Sequence, residues 1–383
     1  MRPGRYSSLS RLTTTTREFT MTLPQTPAEA FPPGEYLRDE LEERGWTVTE
    51  FADIIGRPVQ AVSEILNAKK SITPDTALSL SEALGTSPEL WLNLQTAYQL
   101  HQRRSTTNRR VLSPVARRAR LRDAIPLAEV RSRGWIPDTD DLDLTEAAVC
   151  ELLEIRSLDQ KPAFALAARR SNTDEPVTIK QSAWLGYIRQ RAKDQEVAAF
   201  DVGGLAALAA RLPRLMREGP SQLPRLPSLF AKCGVRLVFA EGLRGGKLDG
   251  AVTFLDDGRP VIGLTTRGNR FDSLVHTLLH ECAHLTLGHI NSSSHTIIDN
   301  NLKAKSDDPR EAAANEKATA WRFPAGFRIE AVSVPAVIEA SDHYGVHPSM
   351  VIGQLQWETE RWSLYRAHIP KVRPELEDAG LLS

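Results

Sequence analysis

Long apolar runs are missing from this 383-residue chain. No stretch approaches the roughly 18 apolar residues that a membrane-spanning helix needs, which excludes a transmembrane segment. Cysteine is scarce as well. Cys150, Cys233 and Cys282 lie far apart, form no C-x-x-C pair and leave an odd count, which suits a reducing cytoplasm rather than a disulfide framework. Net charge is also lacking: 48 Lys and Arg balance 48 Asp and Glu, so global electrostatics select no particular partner. The opening "MRPGRYSSLSRLTTTTREFT" has no apolar h-region, which excludes a secretory signal peptide there. Its Ser/Thr-rich composition predicts a disordered leader over residues 1–28, with Met1 and Met21 both candidate starts. What remains is ordinary: 41% hydrophobic and 25% charged residues, in a chain long enough for two or three domains.

The pattern predicts an α+β protein in three parts after the leader. Residues 29–105 read as five short helices. Tyr36, Leu37 and Leu41 mark the first, which Gly45 closes. Thr47 caps the second, with Glu50 completing a capping box and Gly56 ending the helix. Val59, Val62, Ile65 and Leu66 form the stripe of a third, and "SITPDTALSLSEALG" gives a fourth with Thr73 as cap, Pro74 at its first position and Gly85 at its end. Residues 106–220 read as a basic linker and helical spacer. The run 103–122 carries eight arginines and no acid, either a solvated hinge or a phosphate-contacting arm. From 221 to 375 the period changes. "GVRLVFAE", "GAVTFLD" and "RPVIGLTT" read as strands, with "DDG" as a hairpin turn, ahead of further helices.

"LLHECAHLTLGH" (278–289) carries the chemistry. On a helix His280 and His284 stand one turn apart on one face, so both imidazoles reach a single ion. Glu281 beside them is placed to take a proton from water, as in an H-E-x-x-H zinc site. With nine histidines in the chain, such a string arises by chance in roughly one chain in a hundred, which favours a real Zn²⁺ site. Catalytic zinc takes three protein ligands, and Glu311 in "REAAANEKATAWRFP" is the best third. Asn315, one turn on, is positioned to hydrogen-bond a ligand imidazole. His276 reads as a partly buried helix residue, His289 as a support for a ligand or a C-terminal cap, and Cys282 as core.

At this point the chain resembles the ImmA/IrrE-type metallopeptidases, a minimal gluzincin fold, from about 228 to 363. The resemblance rests on "LVHTLLHECAHLTLGH", "EAAANEKATAWRFP" and "GVHPSMVIGQLQ". It implies zinc on His280, His284 and Glu311, with Glu281 activating water for peptide hydrolysis. One departure is Ala313, where the family usually has an acid directly before the Ala-Asn pair. The strand "GAVTFLD" is either an edge that holds extended substrate or a strand buried in a three-stranded sheet. His343, Tyr344 and His347 are candidates for oxyanion stabilisation.

Helices two and three, joined by "IIGRP", have the spacing of a DNA-binding helix-turn-helix. The segment from "PPGEYLRDELEERGWTVTEF" to "WLNLQTAYQL" resembles the HigA-type antitoxins over its whole length. That resemblance implies a dimeric repressor of operator DNA, with a cognate RNase toxin as a further partner. The reading helix would start near Arg57, with Gln60, Ser63 and Glu64 toward the major groove and Thr49 and Lys69 near phosphates. Residues 31–105 carry seven basic and eleven acidic groups, a net of −4, so low intrinsic affinity is expected. Two readings of the whole follow. In one, a cytoplasmic DNA-binding regulator carries a zinc endopeptidase that cleaves a repressor or another regulatory protein. In the other, an antitoxin or repressor carries a metallopeptidase-like domain that senses a ligand or docks a partner without proteolysis.

Overall fold

The computed structural model describes residues 30–106, 112–166, 169–170, 177–290, 296–299 and 308–382. The leader expected over 1–28 lies outside the described residues, as do parts of the arginine-rich run and of the polar stretch after the H-E-x-x-H helix. The chain divides into two compact units, Met1–Leu112 and Ser113–Ser383.

The first unit is all helical: α1 (Pro33–Arg44), α2 (Val48–Ile54), α3 (Val59–Leu66), α4 (Pro74–Leu84) and α5 (Pro88–Thr106). Local signals set its boundaries. Gly45 and Gly85 close α1 and α4 in the left-handed conformation, which costs glycine no Cβ clash. Thr47 and Glu50 form both halves of a capping box on α2, and the Thr73 hydroxyl accepts from the Thr76 backbone N–H at the start of α4. The core gathers Leu37, Leu41, Phe51, Val62, Leu80 and Trp91. Gln95, nearly buried, accepts the Ile72 N–H at 2.9 Å and fixes the loop before α4.

The second unit begins with helices α6 (Pro114–Ala124), α7 (Leu127–Ser132), α8 (Leu142–Leu152) and α9 (Ala163–Leu166), then β1 (Arg169–Arg170). It continues with α10 (Ile179–Lys193), α11 (Val202–Leu215), α12 (Leu226–Lys232), β2 (Arg236–Phe239), β3 (Gly250–Phe254) and β4 (Pro260–Leu264). α13 (Phe271–Thr286), β5 (Ile297–Asp299), α14 (Pro309–Arg322), α15 (Val334–Tyr344), α16 (Pro348–Thr359) and α17 (Arg373–Asp378) complete it. The sheet runs β1-β5-β3-β4-β2, with β3 antiparallel to β4 and to β5, and β2 parallel to β4. Asp257 in the β3–β4 turn accepts both terminal nitrogens of Arg236 on β2, at 3.2 and 2.6 Å, which ties the turn to the neighbouring strand.

Alternation along the strands explains the layering. Leu237, Phe239, Val252, Ile262 and Leu264 face a core made with α11–α17. Val238, Ala240, Ala251, Val261 and Ile298 face a second core made with α6–α10. The sheet is therefore buried on both sides, which is why its strands read as nearly unbroken apolar runs.

Two expectations change here. Residues 106–220 were expected to form a basic linker and helical spacer, but from Ser113 onward they belong to the second unit. Trp184, Leu185 and Ile188 of α10 are buried against the sheet, and Arg117 and Arg120 of the arginine-rich run pair with Asp143, Glu146 and Asp159. Those arginines neutralise acids of their own unit. The other change concerns β3, which lies inside a five-stranded sheet: β5 covers Gly250–Val252 on one side while β4 covers the other. Along those residues it has no open edge for an extended substrate. No helix among the described residues is long and apolar enough to cross a membrane.

Candidate functional site

Two helices build the cluster in the second unit. The apolar faces of α13 bury it almost throughout, carrying His280, Glu281 and His284 inward with no solvent exposure. α14 is capped by Asp308, whose side chain accepts the Arg310 N–H, and its first turn presents Glu311. An acid there is favoured by the positive end of the helix dipole. The His280 Nε2 and Glu311 Oε2 atoms are 3.1 Å apart, the His284 Nε2 and Glu311 Oε1 atoms 3.4 Å, and the two Nε2 atoms 2.9 Å. Ligand atoms on a tetrahedron of zinc bonds about 2.0–2.1 Å long stand roughly 3.3 Å apart, and the three separations bracket that figure. Two imidazole nitrogens and a carboxylate converging this way are a donor set that fits a zinc-sized ion.

The surroundings assign the remaining expectations. His289 places its Nδ1 3.1 Å from the Nδ1 of His284, so it orients that ring from behind. Burial lowers the His289 pKa, as does the neighbouring His284. Asn315 was expected to contact a ligand imidazole; its Oδ1 instead is buried without a hydrogen-bond partner. It faces a cleft alongside the cluster. Cys282 is core, and burial together with the Glu281 carboxylate pushes its thiol well above the usual range, which disfavours the thiolate a metal would need. The Tyr344 hydroxyl accepts the Arg328 N–H and donates to the Gly326 carbonyl, while His347 caps α16. Neither lines the cleft, and His343 does not line it either.

Two features of this site were missed in the sequence. One is Gly250: a Cβ at the start of β3 would collide with Glu281 Oε1 and come within 2.7 Å of Thr277 Cγ2, so glycine leaves the room the glutamate occupies. The other is the cleft itself, about 760 Å³, which runs beside His276, Thr277 and Asn315. Only the chain crossing between distant elements creates it, so no spacing within one motif could reveal it.

In the first unit, α3 turns Val62, Ile65 and Leu66 into the core and leaves Gln60, Ser63, Glu64 and Asn67 on the outer side. Gln60 donates to Glu64 at 3.1 Å, and Asn67 donates to the Ser63 carbonyl at 2.8 Å. Thr49 and Lys69 are exposed, and Arg57 is half-buried with its Nε lacking a hydrogen-bond partner. Asn67 was not singled out in the sequence, although its spacing from Gln60 and Ser63 (i+7 and i+4) places it on the same face.

Comparison with known proteins fits the first unit. The helix-turn-helix family matches residues 37–91. The chain belongs to this family of HTH-type regulators. It is similar to the uncharacterized HTH-type transcriptional regulator YddM of Escherichia coli K12, 34% identical over 20% of this chain and 81% of the relative. It is likewise similar to antitoxin HigA-1 of Vibrio cholerae, 38% identical over 19% of this chain and 69% of the relative. A solved Pseudomonas aeruginosa antitoxin HigA with its higBA promoter is 28% identical, covering 22% of this chain and 98% of that one, with a TM-score of 0.21.

Proposed function

We propose that this protein is a cytoplasmic DNA-binding transcriptional regulator that carries a zinc-dependent endopeptidase domain. Family membership and the outer face of α3 support the regulator half, with a homodimer on operator DNA as the working unit. The convergence of His280, His284 and Glu311, with Glu281 adjacent, is the observation that carries the peptidase half.

A zinc ion bound by this donor set would supply Lewis acidity that polarises a peptide carbonyl. The residues divide the remaining work. His280 and His284 present Nε2, Glu311 adds the third ligand and its charge, and His289 holds the His284 ring through Nδ1. Glu281 takes a proton from the attacking water and returns it to the leaving amine. Its cleavage target is a repressor or regulatory protein.

A second reading rests on burial. His280, Glu281 and His284 have no solvent exposure and Glu311 is 4% exposed, so a polypeptide reaches them only after their cover moves. In that reading the domain senses a ligand or docks a partner, such as a cognate RNase toxin, and the chain acts as an antitoxin or repressor. Glu281→Gln separates the two, since it removes the base and leaves the ligands in place. Co-expression of wild type and variant in the native host, with protein fragments followed by mass spectrometry, should show cleavage reduced by about a hundredfold or more. Identical fragments and transcript levels from both forms would refute proteolysis.

A further inference from the structure

The cleft beside the cluster has features that the metal-site reading leaves unused. Its volume of about 760 Å³ falls within the range of small-molecule sites. Leu274, Phe323, Trp357 and Trp362 supply apolar surface. Its most telling residue is Arg322, at the end of α14 and only 6% exposed. Its Nε and Nη2 donate to the Ala318 carbonyl at 3.4 Å, the Thr319 hydroxyl at 3.2 Å and Gln354 Oε1 at 3.2 Å, all neutral acceptors. Among the described residues no carboxylate forms an ion pair with it.

The neighbouring charges do not supply one. Arg270 and Asp272 neutralise each other through contacts of 3.0 and 2.6 Å, and Arg267 pairs with Asp249 at 3.3 Å. Glu316 is exposed to water. Burial brings the Arg322 guanidinium down to about 10, against the supporting charge of Asp272, so it stays protonated at neutrality. A buried cation whose hydrogen-bond acceptors are all neutral, and whose one nearby carboxylate, Asp272, is already paired with Arg270, is costly unless a further anion joins it.

Two further buried atoms line the same cleft without hydrogen-bond partners, the Thr266 hydroxyl and Asn315 Oδ1. Asn315, Thr319 and Arg322 follow i, i+4, i+7 spacing and so share one face of α14. The first and last are about 10 Å apart along the helix axis. One end of the stripe offers a positive charge and the other an acceptor, with the Thr319 hydroxyl between them held by Arg322, while Leu274, Phe323, Trp357 and Trp362 add apolar surface to the cleft.

We propose that this cleft binds a small carboxylic acid with an aromatic or aliphatic body and a hydrogen-bond donor at its far end. Arg322 holds the carboxylate, the tryptophans flank the body, and Asn315 accepts from the donor. The site does not depend on the metal ion or on proteolysis.

N-acetyltyrosine has these three parts, and N-acetyltyrosinamide is its neutral counterpart. Titration calorimetry on the full chain, with and without chelator, should show saturable binding of the acid in both conditions. The amide should bind at least about tenfold more weakly, the loss expected for a charge-assisted contact. Arg322→Gln should bring the acid toward the affinity of the amide, and Asn315→Leu, at the other end, should weaken acid and amide alike. The wild-type comparison and Asn315→Leu decide the matter even if Arg322→Gln does not fold. Equal binding of acid and amide overturns the proposal, as does no saturation by the acid up to about 10 mM. A capped, uncharged hexapeptide that saturates the cleft where the acid does not would assign it to polypeptide instead.

Discussion

Replacing Gly250 with alanine puts the contact between β3 and α13 to a quantitative test. A Cβ at that position would collide with Glu281 Oε1, approach Thr277 Cγ2 to 2.7 Å and reach Glu281 Cδ at 3.2 Å. Glu281 is wholly buried, so its carboxylate can move only by displacing packed neighbours. Overpacking of this kind costs about 1–3 kcal/mol. Against that, a Gly→Ala change at an unstrained position stabilises by about 0.4–1 kcal/mol through the unfolded chain. Gly250 is not among the residues with positive φ, so a net loss identifies the collision rather than backbone strain. Urea unfolding of the four proteins in a double-mutant cycle gives the decisive quantity. In a Glu281→Ala background the two Glu281 contacts are gone and only Thr277 Cγ2 remains in the way, so Gly250→Ala should cost less there, a coupling of about 1 kcal/mol or more. Zinc content should stay that of the wild type in Gly250→Ala, because the ligand side chains are untouched. Energies that add within about 0.5 kcal/mol, or a stabilising single substitution, would refute the reasoning.

Three more outcomes are expected. His284→Ala should lose stoichiometric zinc, and chelation should lower the Tm of wild type but not of the variant, because saturation at a hundredfold excess over Kd stabilises by about 2.7 kcal/mol. Metal analysis checks this, and stoichiometric metal surviving both His284→Ala and Glu311→Ala contradicts the ligand set. In gel-shift titrations on promoter fragments, Gln60→Ala should relax base preference while Lys69→Ala weakens binding evenly across sequences; no retarded species at low salt, with the dimer intact, excludes DNA reading. Burial alone would raise the Glu154 carboxyl, but hydrogen bonds and charge from Lys193 and Arg189 hold it below its ordinary 4.5. A lowered carboxylate stabilises the fold above 4.5 and loses that contribution as pH falls through the lowered value. Glu154→Gln should therefore flatten the acid limb of a stability profile, and an unchanged limb would show that the pair contributes nothing.

The features legible in the sequence are those set by neighbours along the chain. Thr47 with Glu50, Thr73 with Pro74, and the closing Gly45 and Gly85 act within a turn or two, and the five helices of the first unit form where those signals stand. Strands β2, β3 and β4 likewise follow their β-branched runs. The grouping of His280, His284 and Glu311 could be proposed because two of the three share a helix and the third lies in the first turn of the next one. What stayed hidden depends on chain segments meeting from afar. β5 pairs with β3 across more than forty residues, in a three-residue strand with little pattern of its own. α10 looked like part of a spacer because its residues are buried around nearly the whole helix, and so show little amphipathic stripe. Nothing along the chain singles out Arg322 or Thr266, because α14 and the residues after β4 come together only at the cleft.

The sheet with two covered faces bears on where this polypeptide can be divided. A fragment starting near residue 221 would keep the histidine helix but turn Val238, Ala240, Ala251, Val261 and Ile298 toward water. A contiguous apolar sheet face of that kind invites self-association rather than folding. Any fusion, domain exchange or expression of the C-terminal half therefore has its natural seam near Ser113, where the second compact unit begins. Natural recombination faces the same restriction: the helices before the sheet and those after it have to be passed on together.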